Sequence, residues 1–280
     1  MESYYGNVVL LTGASSGIGK LTAEHLAELG CRVYGTSRKG MNGTIVFPND
    51  GSQTANQGFI KMVQLDVCDD LSVQNAVDYV MQEEGCINVL INNAGFGISG
   101  AIEETSEKEA FSQFNTNFFG MHRMCRKVLP IMREQKKGLI INIGSVAGTF
   151  PIPYQSMYSA SKAAMKSYTE ALRMEVRDFG VRAVIIEPGD TQTGFTDNRY
   201  YSLESENTAY PKGKASIEKM IQDERNGDNP IGVAQTIGRL LNKKNPPARI
   251  TIGIVYKVFT QLKRILPNRL VGFVLGKMYG

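Results

Sequence analysis

The 280-residue chain has no tryptophan, two histidines and four cysteines. Cys31, Cys68, Cys86 and Cys125 lack the paired spacing of a metal site or a disulfide framework, so a reducing cytoplasm is the expected location. His25 and His122 each stand alone inside helical patterns, which removes histidine clusters as a catalytic or metal-binding device. No apolar run approaches the roughly eighteen residues that span a bilayer. The first strand pattern begins within seven residues of the start, which leaves no room for a signal peptide. Acidic residues stop at Asp228: the segment after it holds nine Lys and Arg on a chain whose net charge is only +4.

Hydrophobic residues make up 42% of the chain, enough for one large α/β domain with a full core over residues 1–280. Apolar β-type runs at 8–11, 32–35, 60–65, 88–91, 139–143, 182–186 and 249–254 alternate with helical patterns at 17–29, 70–84, 107–135, 157–179, 214–225 and 231–242. Such alternation predicts a doubly wound parallel sheet of about seven strands with helices on both faces. The segment 39–58 is rich in Gly, Asn and Pro and predicts a loop or a ragged short helix.

The apolar run Val8-Val9-Leu10-Leu11 is followed at once by Thr12-Gly13-Ala-Ser15-Ser16-Gly17-Ile18-Gly19 and then by a helical pattern. That order of strand, glycine turn and helix is what dinucleotide binding requires. Gly13 permits the tight turn, Gly17 lets the backbone approach a pyrophosphate, and Gly19 allows close helix–strand packing. Amides at the helix start then face the anion.

Farther along, Tyr158 and Lys162 stand four apart in a helix-compatible stretch, on one face and one turn from each other. A lysine ammonium stabilises a phenolate, and bringing a tyrosine from its usual value near 10 to neutrality needs roughly 4 kcal/mol. A desolvated ammonium beside a cationic cofactor supplies that where an exposed one does not. Ser145 is placed to hold the reacting oxygen while Tyr158 moves the proton.

With Asn92-Asn93-Ala94-Gly95, Asn117 and Pro188-Gly189, these motifs make residues 6–195 closely resemble the short-chain dehydrogenase/reductase family. The resemblance includes members of hydroxysteroid and retinol dehydrogenase type. It implies a Rossmann fold and interconversion of a carbonyl and an alcohol by hydride transfer from or to a nicotinamide. Tyr158 would be the acid/base, Lys162 would bind the nicotinamide ribose and lower the tyrosine's pKa, and Ser145 would polarise the carbonyl. Asn117 would kink its helix and hold a water. Asn93, Ala94 and Gly95 would line the ribose, Asp66 and Val67 the adenine, and Pro188, Gly189, Thr191 and Thr193 the carboxamide. Family members usually form dimers or tetramers, so a homo-oligomer is expected, and no nucleic-acid partner.

Where NAD-binding relatives carry an acid at the end of the second strand, this chain reads Thr36-Ser37-Arg38-Lys39. A 2′-phosphate would meet a hydroxyl and two cations there, so NADP(H) is expected over NAD(H). Phe96, Ile98, Val146, Phe150, Ile152, Tyr154 and Phe195 are candidate walls for an apolar substrate of steroid, retinoid or fatty-acyl type, under a lid over 194–228. Two other readings carry less. A cofactor-binding sensor without turnover would not need the intact Asn117, Ser145, Tyr158 and Lys162 set, and a sugar-nucleotide epimerase would show different glycine spacing.

The last segment, 255–280, has Val255, Val258, Phe259, Leu262, Ile265 and Leu266 at helical spacing with Lys257, Gln261 and Lys263 roughly opposite, and the apolar run after Pro267 would extend it. A basic amphipathic helix of this kind docks on its own domain, on a partner subunit or on a membrane surface.

Overall fold

The computed structural model describes residues 3–39, 44–47, 57–202 and 208–279. In chain order the first half runs β1 (Val8–Leu11), α1 (Gly17–Glu28), β2 (Arg32–Ser37), β3 (Thr44–Val46), β4 (Phe59–Gln64), α2 (Asp70–Glu84), β5 (Val89–Asn92) and β6 (Ile98–Ser99). It continues with α3 (Glu107–Phe114), a π-helical turn (Asn115–Gly120), α4 (Met121–Glu134), β7 (Gly138–Ile143), α5 (Ser156–Glu175) and β8 (Val181–Pro188). The remainder is β9 (Tyr200–Tyr201), α6 (Gly213–Arg225), α7 (Ile231–Leu241), β10 (Arg249–Ile252), α8 (Ile254–Leu262) and α9 (Asn268–Tyr279).

The main sheet has eight strands in the order β10-β8-β7-β5-β1-β2-β4-β3. Seven are parallel, as the alternating pattern predicts, and β3 adds an antiparallel edge against β4. The expectation of a loop or helix over 39–58 is corrected here. Thr44-Ile45-Val46 is β-branched and takes the free edge of β4, while 40–43 and 48–56 lie outside the described residues.

Both faces of the central strands are buried, which explains their unbroken apolar sequence. Val8 and Leu10 point into a core shared with Val77, Met124, Val128 and Leu172, on the side of α2, α4 and α5. Val9 and Leu11 point the other way, toward Leu26, Ile237 and Leu241 of α1 and α7. Burying a side chain of this size contributes about 1.5–3 kcal/mol, so this alternation is the main force fixing register. Strand order reverses between β1 and β5, and doubly wound sheets bind ligands in the crevice at that switch point.

Helix ends are set locally. Asp69 caps α2 by accepting from the amides of Leu71 and Ser72, and Gly85 ends it in the left-handed region. Ser106 and Glu109 form a reciprocal capping box at α3. The C-terminal segment is two helices rather than the one continuous helix its spacing suggests. The chain turns at 263–267, where Pro267 cannot continue the helix, before α9 starts. Among the described residues no helix is long and apolar enough to cross a membrane.

Candidate active site

A cavity of about 1050 Å³ opens at the carboxyl ends of β1 and β5. It is lined by Gly13, Ser15, Ser16, Gly17 and Ile18 of the glycine turn, by Ser37 and Arg38 after β2, and by Asp66 and Val67 after β4. Asn93, Ala94 and Gly95 follow β5 into it, Ser145, Tyr158 and Lys162 form its inner end, and Pro188, Gly189, Thr191 and Thr193 form the far rim. Two expected residues lie behind this lining rather than on it, Gly19 and Asn117.

The glycine turn is built by close backbone approach. Gly13 and Gly17 have φ of +68° and +53°, where a side chain would be strained. A Cβ on Gly19 would stand 2.0 Å from the Gly13 carbonyl oxygen, so only glycine lets α1 begin this tightly against β1. The hub of the turn is Thr12, whose hydroxyl accepts from the amides of Asn93 (2.9 Å) and Ala94 (3.0 Å). The Asn93 amide group donates in turn to the carbonyls of Thr12 and Gly13. Asn92 braces the sheet instead, donating to Asn142 at 2.8 Å.

A nucleotide fits this cradle. Ser16, the N-cap of α1, makes no side-chain capping bond, so the first amides of the helix face the cavity for an anion. The Thr36 hydroxyl is fully buried and has no protein partner in the cavity wall. Arg38 is exposed on the rim, with no acid at the end of β2. The residues that would hold a dinucleotide are therefore those named above, with Lys162 at the nicotinamide end.

Ser145 caps a short 3-10 turn, its hydroxyl accepting from the Ala147 amide at 3.1 Å. Tyr158 and Lys162 project from α5, with the ammonium 5.6 Å from the phenol ring centre. Lys162 is 6% exposed and donates to the Ile143 carbonyl at 2.8 Å. Burial depresses it from 10.5 to about 8. Burial also pushes the Tyr158 hydroxyl up to about 12, with the hydrogen bond from Ser145 the largest opposing influence. Lys162 is not among the influences that lower it here. Among the chain's own groups desolvation outweighs the Ser145 hydrogen bond and the Arg199 charge, so a net downward shift needs charge that a bound cofactor would add.

Asn117 sits in the π-helical turn between α3 and α4, so the expected kink is present as a bulge. Its side chain accepts from the Phe96 amide (3.1 Å) and donates to the Phe96 carbonyl and the Ser161 hydroxyl. These contacts commit the side chain to clamping the loop after β5.

At the substrate end, Phe96, Ile98, Val146, Ile152 and Phe195 line the cavity as the sequence suggests, and Phe195 packs 5.5 Å from Tyr158. Tyr154 and Phe150 do not. Tyr154, with φ of +60°, turns toward Tyr210 and Gly213, and Phe150 lies under the Lys263 ammonium. The segment expected as a lid is tied down at both ends. β9 pairs with β6, and buried Arg199 bridges the Ser99 hydroxyl and Glu224 of α6. Residues 203–207 of that segment lie outside the described residues.

Among the cavity residues that sequence reasoning missed are Asp190, Arg199 and Glu224. Asp190 follows the Pro-Gly pair directly and carried a signal in that adjacency. Arg199 and Glu224 meet across 25 positions, and no local pattern marks them. His25 and His122 stay outside the cavity, and no metal-binding cluster occurs among the described residues.

The sequence profile for short chain dehydrogenase matches residues 7–203. A 3-ketodihydrosphingosine reductase of Bacteroides thetaiotaomicron is 44% identical over 275 residues, covering 97% of each chain. Retinol dehydrogenase 8 of Bos taurus is 31% identical, over 93% of this chain and 86% of its own. Among solved structures, a short chain dehydrogenase/reductase from Burkholderia phymatum in complex with NAD superposes with a TM-score of 0.77 at 26% identity, over 94% of this chain and 95% of that one.

Proposed function

This chain belongs to the short-chain dehydrogenase/reductase family of oxidoreductases, and we propose that it reduces the ketone of a long-chain lipid with NADPH. The observation that carries the reading is the juxtaposition of Ser145, Tyr158 and Lys162 at the inner end of a cavity that also has Phe96, Ile98, Val146, Ile152 and Phe195 in its wall. The nicotinamide supplies the hydride when bound. The Ser145 hydroxyl donates to the substrate oxygen and holds it beside Tyr158, which gives up its phenolic proton to the forming alkoxide. Lys162, fixed by the Ile143 carbonyl, keeps positive charge near the phenolate that results.

For the cofactor, exposed Arg38 with Ser37 beside it, and no carboxylate at that point, supports NADP(H) over NAD(H).

For the substrate, 44% identity over nearly the whole chain to a 3-ketodihydrosphingosine reductase favours a sphingoid ketone over a steroid or retinoid. Such a base carries an amine beside its ketone. Asp190 lines the cavity, and its only side-chain bond among the described residues is from the Tyr256 hydroxyl. Its carboxylate is the group suited to that ammonium. The exposed Phe111, Phe119, Met174 and Phe179, on or next to the helices that carry Asn117 and Tyr158, support self-association by that face.

The test is NADPH consumption against 3-ketodihydrosphingosine, a plain long-chain ketone, all-trans-retinal and a 17-ketosteroid. The reading expects the sphingoid ketone to turn over with the highest kcat/KM. Turnover of none of them would reject it.

A further inference from the structure

The two C-terminal helices present their apolar sides to solvent. In α8, Tyr256 and Thr260 face the protein, followed by Lys263 one turn later. The Tyr256 ring occupies the space a Cβ on Gly189 would need, 2.0 Å away, and its hydroxyl donates to Asp190. The Lys263 ammonium donates to the Thr149 carbonyl and lies 5.1 Å from the Phe150 ring centre. In α9, the Tyr279 hydroxyl donates to Asp223 of α6 at 2.9 Å, and its carbonyl accepts from Ser216. With those sides engaged, Ile254 (81% exposed), Val258, Phe259, Ile265 (77%), Phe273 (61%) and Val274 stand in water.

An apolar surface of this extent on consecutive helices marks a contact site. Its charge says with what. Lys257, Arg264, Arg269 and Lys277 are exposed among these side chains, and no acid occurs after Asp228. A second copy docked on the same face by two-fold symmetry would set these cations against themselves. At 9 and 12 residues, neither helix spans a bilayer, which takes about 20. Short helices with an apolar side and interspersed cations lie in the headgroup plane instead.

We propose that α8 and α9 dock the protein on the surface of an anionic phospholipid bilayer, with Phe259 and Phe273 entering the acyl boundary. The same two helices hold the walls of the cavity. α8 packs on Gly189 and Asp190, and α9 is tied to α6, which supplies Glu224. Docking therefore sets the substrate end of the cavity beside the lipid phase. That last step rests on the lipid-substrate reading; the docking itself does not.

The test is sedimentation of the full chain, without substrate or cofactor, with vesicles of phosphatidylcholine alone or with one-third phosphatidylglycerol. Binding is expected with the anionic vesicles at low salt, falling steeply at about 0.5 M salt, where the screening length is a few ångströms. Arg264→Glu with Arg269→Glu should weaken it by more than tenfold, since each cation near such a surface is worth roughly fivefold. Phe259→Glu with Phe273→Glu should weaken it comparably while leaving the circular dichroism spectrum unchanged, both positions being exposed. No sedimentation with anionic vesicles at low salt overturns the proposal, as does binding indifferent to both pairs of substitutions. A wild-type oligomer that the phenylalanine pair dissociates, without vesicle binding, assigns the face to a second copy and overturns it too. Because no turnover is read, this failure is distinct from failure of the proposed reaction.

Discussion

Replacing Lys162 by methionine should stabilise the protein while disabling it. The ammonium is 6% exposed, and no carboxylate pairs with it among the described residues. Its fall from 10.5 to about 8 corresponds to about 3 kcal/mol held against folding at neutral pH. Methionine fills similar volume without charge, but it leaves the Ile143 carbonyl without its 2.8 Å donor, at a cost of about 1 kcal/mol. The net gain is about 2 kcal/mol at pH 7 in the absence of cofactor, or roughly 5 °C in Tm for a chain of this size. The pH dependence fixes the cause. Lys162 is depressed in the fold, so its penalty is complete below pH 8 and fades as pH climbs from about 8 toward 10.5. The variant's advantage should shrink over that window. Urea unfolding at pH 7 and pH 10 checks this by circular dichroism, since the chain has no tryptophan to report. A variant less stable than wild type at pH 7, or an advantage unchanged at pH 10, would refute the reasoning.

Tyr158→Phe should lower kcat for ketone reduction by about 10²–10⁴-fold while NADPH binding, followed by its fluorescence, stays within about twofold. Arg38→Asp should raise the Kd for NADPH by about 10–100-fold and that for NADH by no more than a few-fold, and equal losses would remove Arg38 from cofactor choice. Asp190→Asn should raise KM about tenfold for a 2-amino ketone and leave a plain long-chain ketone unchanged. Steady-state kinetics with the two substrates decides it.

Most of the sheet was readable because parallel strands buried on both faces leave unbroken apolar runs such as Val8–Leu11 and Val89-Leu90-Ile91. The glycine turn was readable because Gly13, Gly17 and Gly19 each answer a steric demand that no other residue meets. The kink at Asn117 was expected from the family resemblance, but its form as a π-helical turn over Asn115–Gly120 was not. Tyr154 misled because spacing ignores backbone hand: its positive φ turns the ring away from the cavity. The pairing of Arg199 with Glu224 and of Tyr256 with Asp190 depends on chain segments folded back from far away, and periodicity carries no such information. For α8 and α9 the helical pattern was plain, but which side would face outward was set by Tyr256 and Tyr279, not by the hydrophobic stripe.

The contact of Tyr256 with Gly189 has a practical corollary. A chain shortened before residue 254 to improve handling would lose the ring that backs the turn leading into Asp190. Such a truncated form would report the kinetics of a different reaction chamber, even with every motif residue in place.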